Sequence, residues 1–334
     1  MKSTTNIYVM VDTSFKMQGY SAKIQTIFAR YARALSFQRN KTKLHIIGYN
    51  DKAKPLAPYE PMKKNIFNAP FVKEMRKATA NMYRLGWDER NGGNISYMLE
   101  EAEVAKYLNL DKVIRTIPTG FDASKLIGKI FIVTGTGKYF KNVDEDPETN
   151  LGIVRIGKDG TTAELLWGYK DGGKFTSEFP AHMMSHISRL EIDSTHRVVM
   201  HSHPTYTIAM NTICSTDEKD FTHKLWQSNT EAVVVFPDGV GVLPCMVCGT
   251  TEIGEATAEK MKKFRLVVWT NHGIYGTGKN MDEAFGLIET VEKTAQIYML
   301  AKASGEIVNV IPDQIIADLA KLWGLTPLEG ILKV

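Results

Sequence analysis

The sequence predicts a mixed α/β protein, with helices layered on a central sheet and a small β-α-β extension in front. Short apolar, β-branched runs alternate along the chain with segments whose apolar residues recur at helical spacing. Charge also divides unevenly. Residues 1 to 66 hold 12 Lys plus Arg against 3 Asp plus Glu, and the remaining 268 hold 29 against 34, a contrast that suggests two modules within a chain of net charge +4.

In the first module, Ile7 to Val11 reads as a strand and Leu44 to Tyr49 as a second. Between them Ile24, Ile27, Phe28, Tyr31, Ala32 and Leu35 recur at i, i+3, i+4, i+7, i+8 and i+11, one face of an amphipathic helix. Pro55, Pro58 and Pro61 then mark a turn, an edge strand and a linker. The expected division is therefore an extension over 1–64 and a larger domain over 65–334. Three elements bury little core, so docking of the extension on the larger module is expected. This opening weakly resembles the start of a von Willebrand factor A domain, with Asp12-Thr13-Ser14 at the head of an Asp-x-Ser-x-Ser magnesium loop. Lys16 stands in place of the second serine, and an ammonium among hard oxygen ligands opposes cation binding.

In the larger module Phe71, Met75, Ala78, Met82 and Leu85 space out as a helix that Gly86 stops. Ile95 to Met98, Ile130 to Val133, Ile153 to Ile156, Val198 to Met200, Val233 to Phe236, Leu266 to Trp269 and Gly273 to Tyr275 read as strands. Late helices are expected around Ile253 to Lys263, Met281 to Met299 and Pro312 to Trp323.

Composition narrows the class. With 43% hydrophobic and 23% charged residues the chain is ordinary for a globular protein. No apolar stretch approaches the roughly 20 residues of a membrane span, and Met1 to Asn6 lacks the apolar region of a secretory signal. Only three cysteines occur, Cys214, Cys245 and Cys248, which fits a reducing, cytoplasmic compartment. Cys245 and Cys248 have no partner pair or neighbouring histidine in sequence and are expected as buried thiols. The basic extension invites a nucleic-acid reading, but no RNA or DNA motif accompanies the charge, so a solvated helix face and charged linker is expected.

The chemistry concentrates in His201-Ser202-His203, in His272 of Thr270-Asn271-His272-Gly273, and in Glu178 of Thr176-Ser177-Glu178. On a strand, the period of two would turn His201 and His203 to one face, about 7 Å apart. A third imidazole from a distant segment would complete three neutral nitrogens with an open position, which suits a catalytic zinc, and a nearby carboxylate can act as base or displaceable ligand. The plainer readings are satisfied core or surface histidines, and a glutamate favoured at a helix N-terminus. Two glycine-bearing loops, Asn91-Gly92-Gly93-Asn94 and Thr134-Gly135-Thr136-Gly137-Lys138, offer bare amides, hydroxyls and a cation, as does Thr176-Ser177 with its hydroxyls. Each alone is an ordinary turn; converging beside a metal, they would grip a phosphorylated substrate. No P-loop or dinucleotide fingerprint is present.

Over roughly 66 to 334 these strings join into a resemblance: Gly86-Trp87-Asp88-Glu89-Arg90-Asn91-Gly92-Gly93-Asn94, Phe131-Ile132-Val133-Thr134-Gly135-Thr136-Gly137-Lys138, Asn150-Leu151-Gly152-Ile153-Val154, Thr176-Ser177-Glu178-Phe179-Pro180-Ala181-His182 and Phe236-Pro237-Asp238-Gly239-Val240-Gly241. The chain resembles the class II, zinc-dependent aldolases, and among them the branch that cleaves L-rhamnulose 1-phosphate to dihydroxyacetone phosphate and L-lactaldehyde. The resemblance implies a three-layer α/β/α fold with a mostly antiparallel central sheet and a C4 homotetramer with sites at subunit interfaces. It implies one Zn²⁺ per subunit on His201, His203 and His272, and the substrate phosphate on Asn91, Asn94, Thr136, Gly137, Thr176 and Ser177. Glu178 would handle the proton on the dihydroxyacetone carbon, and Glu231 would reach the aldehyde end from a neighbouring subunit. Such chemistry leaves an enediolate whose charge a Lewis acid stabilises, so no lysine Schiff base is needed. Thr136 stands where the family often has serine, and the basic extension is not a usual part of it. Fuculose-phosphate aldolases and pentulose-phosphate 4-epimerases share the fold, as does the non-catalytic head of adducin; retention of three histidines and Glu178 favours an enzyme.

Overall fold

A computed structural model describes residues 5–12, 42–49, 54–55 and 63–334. The expected helix over Ile24 to Leu35 and the loop from Thr13 to Lys16 lie outside the described residues. The chain divides into two compact units, 1–64 and 65–334. In the first, β1 (Thr5–Asp12) and β2 (Thr42–Tyr49) pair in parallel. The two-residue β3 (Lys54–Pro55) lies antiparallel on the other side of β2, and Pro55 falls on that edge strand, where a missing N–H is tolerated.

The second unit is built on nine strands: β4 (Asn94–Leu99), β5 (Arg115–Pro118), β6 (Ile130–Thr134), β7 (Leu151–Ile156), β8 (Thr162–Gly168), β9 (Val198–Ser202), β10 (Gly241–Leu243), β11 (Leu266–Trp269) and β12 (Gly273–Gly278). Their order is β10-β11-β12-β9-β4-β6-β7-β8-β5, and every neighbouring pair is antiparallel except β10–β11. The longer helices are α1 (Pro70–Arg84), α2 (Phe179–Ile192), α3 (Thr205–Ile213), α4 (Glu218–Ser228), α5 (Thr230–Val235), α6 (Thr251–Met261), α7 (Met281–Ser304) and α8 (Asp313–Leu322). Among the described residues no helix is long and apolar enough to cross a membrane.

The strand period of two sorts the core into layers. Ile95, Ile132, Val198, Met200, Leu266, Val268 and Ile274 share one apolar cluster with residues of α1, α3, α4, α5, α7 and α8. The alternate residues Val199, Val267, Trp269 and Tyr275 pack with α6, and Phe131, Val133 and Val154 with α2. The result is a three-layer α/β/α arrangement. Helix α1 follows its sequence pattern, burying Phe71, Met75, Ala78 and Met82, with Pro70 in its first turn and Gly86 at φ +75° just past its end.

The run Val233 to Phe236, expected as a strand, belongs instead to helix α5 and its cap. The Asn229 side chain accepts from the Glu231 N–H at 3.1 Å and starts the helix, while Ala232 and Val233 bury against the core, so capping and packing override β propensity. Helices α2, α3 and α4 and strands β5 and β8 were not singled out by periodicity.

Helix α2 explains why: the face it presents inward is largely polar, carrying His182, Ser185, His186, Ser188 and Arg189 as well as Phe179, Ala181 and Met183. Its imidazoles are satisfied from β4, where the Ser96 hydroxyl lies 2.7 Å from His182 Nδ1 and 2.8 Å from His186 Nε2. His196 Nε2 lies 2.9 Å from His186 Nδ1. Burial holds these rings neutral. It lowers His182 to about 4 and His196 to about 3, and pushes His186 well below the ordinary range, with its two neighbouring histidines adding to the effect.

The sign of the pH dependence follows. Unfolding returns each ring to a value near 6.5, so below that pH the unfolded chain binds protons that the folded chain refuses. Stability is therefore full above 6.5 and drains toward pH 4, by at most about 1.4 kcal/mol per pH unit for each histidine. Thermal unfolding followed by circular dichroism should show Tm falling from pH 7 to pH 5, before most carboxylates titrate; a flat Tm across that window would contradict buried neutral rings.

Candidate metal centre and active site

His201 is the fourth residue of β9 and faces the α2/α6 side with Val199. His203 sits one residue beyond the strand rather than on it, held by its N–H to Trp87 O at 2.7 Å. His272 comes from the three-residue connection between β11 and β12, where its N–H reaches Trp269 O at 3.0 Å and Asn271 adopts φ +60°. The side chains nevertheless converge: His203 Nε2 and His272 Nε2 each lie 3.2 Å from His201 Nε2.

The ring orientation is fixed from behind. His201 Nδ1–H donates to Ile274 O at 3.1 Å across the β9–β12 ladder, and His203 Nδ1–H donates to the Glu89 carboxylate at 3.0 Å. His272 Nδ1 lies 3.2 Å from Cys248 Sγ. Each Nε2 of His201 and His203 therefore carries a lone pair directed at the other, which is repulsive unless a cation lies between. Burial lowers the basicity of His201 far below the ordinary range, and the charges of His203 and His272 lower it further; burial and His203 act likewise on His272. Ligand atoms of the three residues all fall within 4.8 Å of one another, the donor set of a divalent-ion site with an open position.

Two glycines make room for these rings. A Cβ on Gly92 would stand 2.8 Å from His203 Nδ1, and one on Gly273 would meet Ser202 O at 2.3 Å and both imidazoles at 2.9 Å. Gly93, at φ +73°, has a different neighbour, the buried Asp88 carboxylate, which burial and then Glu89 push well above the usual carboxylate range.

Glu178 occupies the N-cap position of α2, yet its carboxylate makes no capping bond. It turns to the histidines instead. Oε2 accepts from Tyr275 OH at 2.7 Å and Asn94 Nδ2 at 3.0 Å and lies 3.7 Å from His201 Nε2, while Oε1 is 3.9 Å from His272 Nε2. Tyr275 keeps its proton for this bond, because burial first and the Glu178 charge second raise it well above the usual phenol range.

The three small-residue loops are tied together beside this carboxylate. Ile95 N donates to Thr134 Oγ1 at 3.0 Å, Thr176 N to Thr134 O at 3.0 Å, and Thr136 N to Lys174 O at 2.9 Å. Asn91, Gly137 and Ser177 are exposed, and Thr136 is partly so. Gly137 has φ +69° and open space where a Cβ would stand. Thr176 is buried, with Oγ1 accepting from Glu178 N at 3.3 Å, and Asn94 is buried with both amide atoms engaged. The Lys138 ammonium is paired with Asp171. Glu231, in the first turn of α5, is exposed and takes no part in the bonds that bind the cluster.

Sequence reasoning missed Tyr275, Glu89 and Cys248. Tyr275 carried a signal, since it is three residues past His272 on a strand and pairs with His201 in register. The cysteines are corrected: Cys245 and Cys248 are exposed rather than buried, and Cys248 meets a histidine that only the fold brings near.

Residues 73–299 match the class II aldolase and adducin N-terminal domain family. The rhamnulose-1-phosphate aldolase of Listeria monocytogenes serotype 4b (strain CLIP80459) is 56% identical over 271 residues, covering 81% of this chain and 99% of that one. The Escherichia coli O9:H4 (strain HS) enzyme of the same name is 45% identical over 271 residues, covering 80% and 99%. A crystal structure of a sugar-phosphate aldolase from Thermotoga maritima superposes with a TM-score of 0.61 at 28% identity, covering 71% of this chain and 96% of that one. With sequence and fold in agreement, the chain belongs to the class II aldolase family.

Proposed function

We propose that this chain is a zinc-dependent aldolase that cleaves L-rhamnulose 1-phosphate to dihydroxyacetone phosphate and L-lactaldehyde, a lyase step of rhamnose catabolism in the cytoplasm. The observation that carries the reading is the 45–56% identity to relatives named for that reaction over four fifths of the chain. The Glu178 carboxylate beside three convergent imidazoles supports it. A non-catalytic, adducin-like role is disfavoured because a scaffold gains nothing from neutral imidazoles aimed at one another.

His201, His203 and His272 hold the Zn²⁺. When bound, the ion supplies Lewis-acid stabilisation of the negative charge that develops on substrate oxygens as C3–C4 breaks. The phosphate is taken by Asn91, Thr136, Gly137, Thr176, Ser177 and the second N–H of Asn94, at the N-terminal end of α2 whose dipole favours an anion. Glu178 Oε1 exchanges the proton on the dihydroxyacetone carbon, while Tyr275 and Asn94 hold Oε2. Glu231 acts at the aldehyde end of a neighbouring subunit's site in a C4 homotetramer, consistent with its exposure here.

Release of dihydroxyacetone phosphate, followed with a coupled reductase, should be faster from L-rhamnulose 1-phosphate than from L-fuculose 1-phosphate. The reverse order would overturn the substrate assignment. Chelation should abolish release and added Zn²⁺ restore it. Glu178→Ala should lower kcat by roughly 10² to 10⁴, with circular dichroism and bound metal unchanged. The extension is assigned no part in turnover, so a chain beginning at Asn65 should keep kcat within about twofold; loss of activity in that chain would move the boundary of the catalytic unit.

A further inference from the structure

The Glu178 carboxylate is the near end of a buried file of polar side chains that the reaction does not itself require. Asn94 Nδ2 lies 3.0 Å from Glu178 Oε2, and Asn94 Oδ1 is hydrogen-bonded to His182 Nε2. Beyond it Ser96 bridges His182 Nδ1 at 2.7 Å and His186 Nε2 at 2.8 Å, and His196 Nε2 lies 2.9 Å from His186 Nδ1. None of the six residues is more than 9% exposed. The file arises from two matched periods. Asn94 and Ser96 share one face of β4, roughly 7 Å apart, while His182 and His186 are one turn apart on α2, so the side chains interleave.

Donor and acceptor roles along the file follow from its one fixed end, the carboxylate. A carboxylate only accepts, so Asn94 must present its amide nitrogen to Glu178 and its oxygen to His182. That oxygen needs a donor, which makes His182 the Nε2–H tautomer with a bare Nδ1. The Ser96 proton goes to that Nδ1, leaving the Ser96 oxygen to accept from His186 Nε2–H. His186 Nδ1 is then bare and accepts from His196 Nε2–H. Every proton points toward Glu178. An asparagine amide does not pass protons readily, so the file cannot serve as a wire; it can only orient.

We propose that Ser96, His182, His186 and His196 are positioning residues for Glu178: their one-way hydrogen bonds lock the Asn94 amide as a donor to Oε2 and leave Oε1 as the oxygen that carries the substrate proton. The proposal rests on the reading of Glu178 as the proton-exchanging group. A flipped Asn94 would set its oxygen against the carboxylate and its NH₂ against His182 Nε2–H, two repulsive contacts, so the file holds one amide rotamer.

Neutron diffraction from the full-length, zinc-loaded protein tests the geometry without reference to turnover. Deuterium is expected on Nε2 of His182, His186 and His196, with none on Nδ1 of His182 or His186. Deuterium on either Nδ1 overturns the proposal. Kinetics of the metal-loaded variants test the consequence. His182→Phe should lower kcat roughly 30- to 100-fold with KM for the sugar phosphate within about twofold, and His182→Gln, whose amide can still donate to Asn94 Oδ1, should recover most of the loss. Equal loss in both variants, or a rise in KM alone, would refute positioning. Should the wild-type protein cleave neither sugar phosphate, the functional reading fails while the deuterium map still decides the file.

Discussion

The Nε2 atoms of His201 and His203, 3.2 Å apart with their lone pairs facing, are the constraint around which the candidate site is arranged. Left alone they repel, so the fold must hold the rings against one another from behind. The β9–β12 ladder does so for His201 through Ile274 O, and Glu89 does so for His203. Bare backbone at Gly92 and Gly273 lets the rings lie where any Cβ would collide. The same sheet face carries Asn94, Ser96 and Tyr275, so the carboxylate and the cation site share one rigid surface.

Much of the fold was legible because its elements bury apolar residues in patterns that sequence displays. Helix α1 read from its helical spacing, and β6, β7, β9 and β11 from short apolar runs buried on both faces of the sheet. Helix α2 was not legible, because a helix that packs histidines and serines against a polar strip of β4 shows no apolar stripe. The Val233 run misled for the opposite reason: its residues favour strands, yet Asn229 caps a helix and the core accepts it.

At the site, the histidine trio and Glu178 stood out because few side chains suit a divalent ion, and their spacing was suggestive even though His203 lies past the strand. The supporting residues could not be found that way. Tyr275, Glu89, Cys248 and the buried histidines of α2 act through partners between 10 and 114 positions away, so only the folded chain reveals what they touch. Asn94 adds to this: its loop suggested an anion cradle, and the fold also bonds its amide to a carboxylate and an imidazole, contacts that no spacing foretells.

The turn that delivers His272 spans only Thr270, Asn271 and His272 between two antiparallel strands, with Asn271 in the left-handed region and its side chain bonded to Thr212. Adding or removing a residue there would shift His272 along the turn and carry its Nε2 away from the 3.2 Å approach to His201. The length of this short connection is thus part of the cation site, as much as the identity of the histidine it carries.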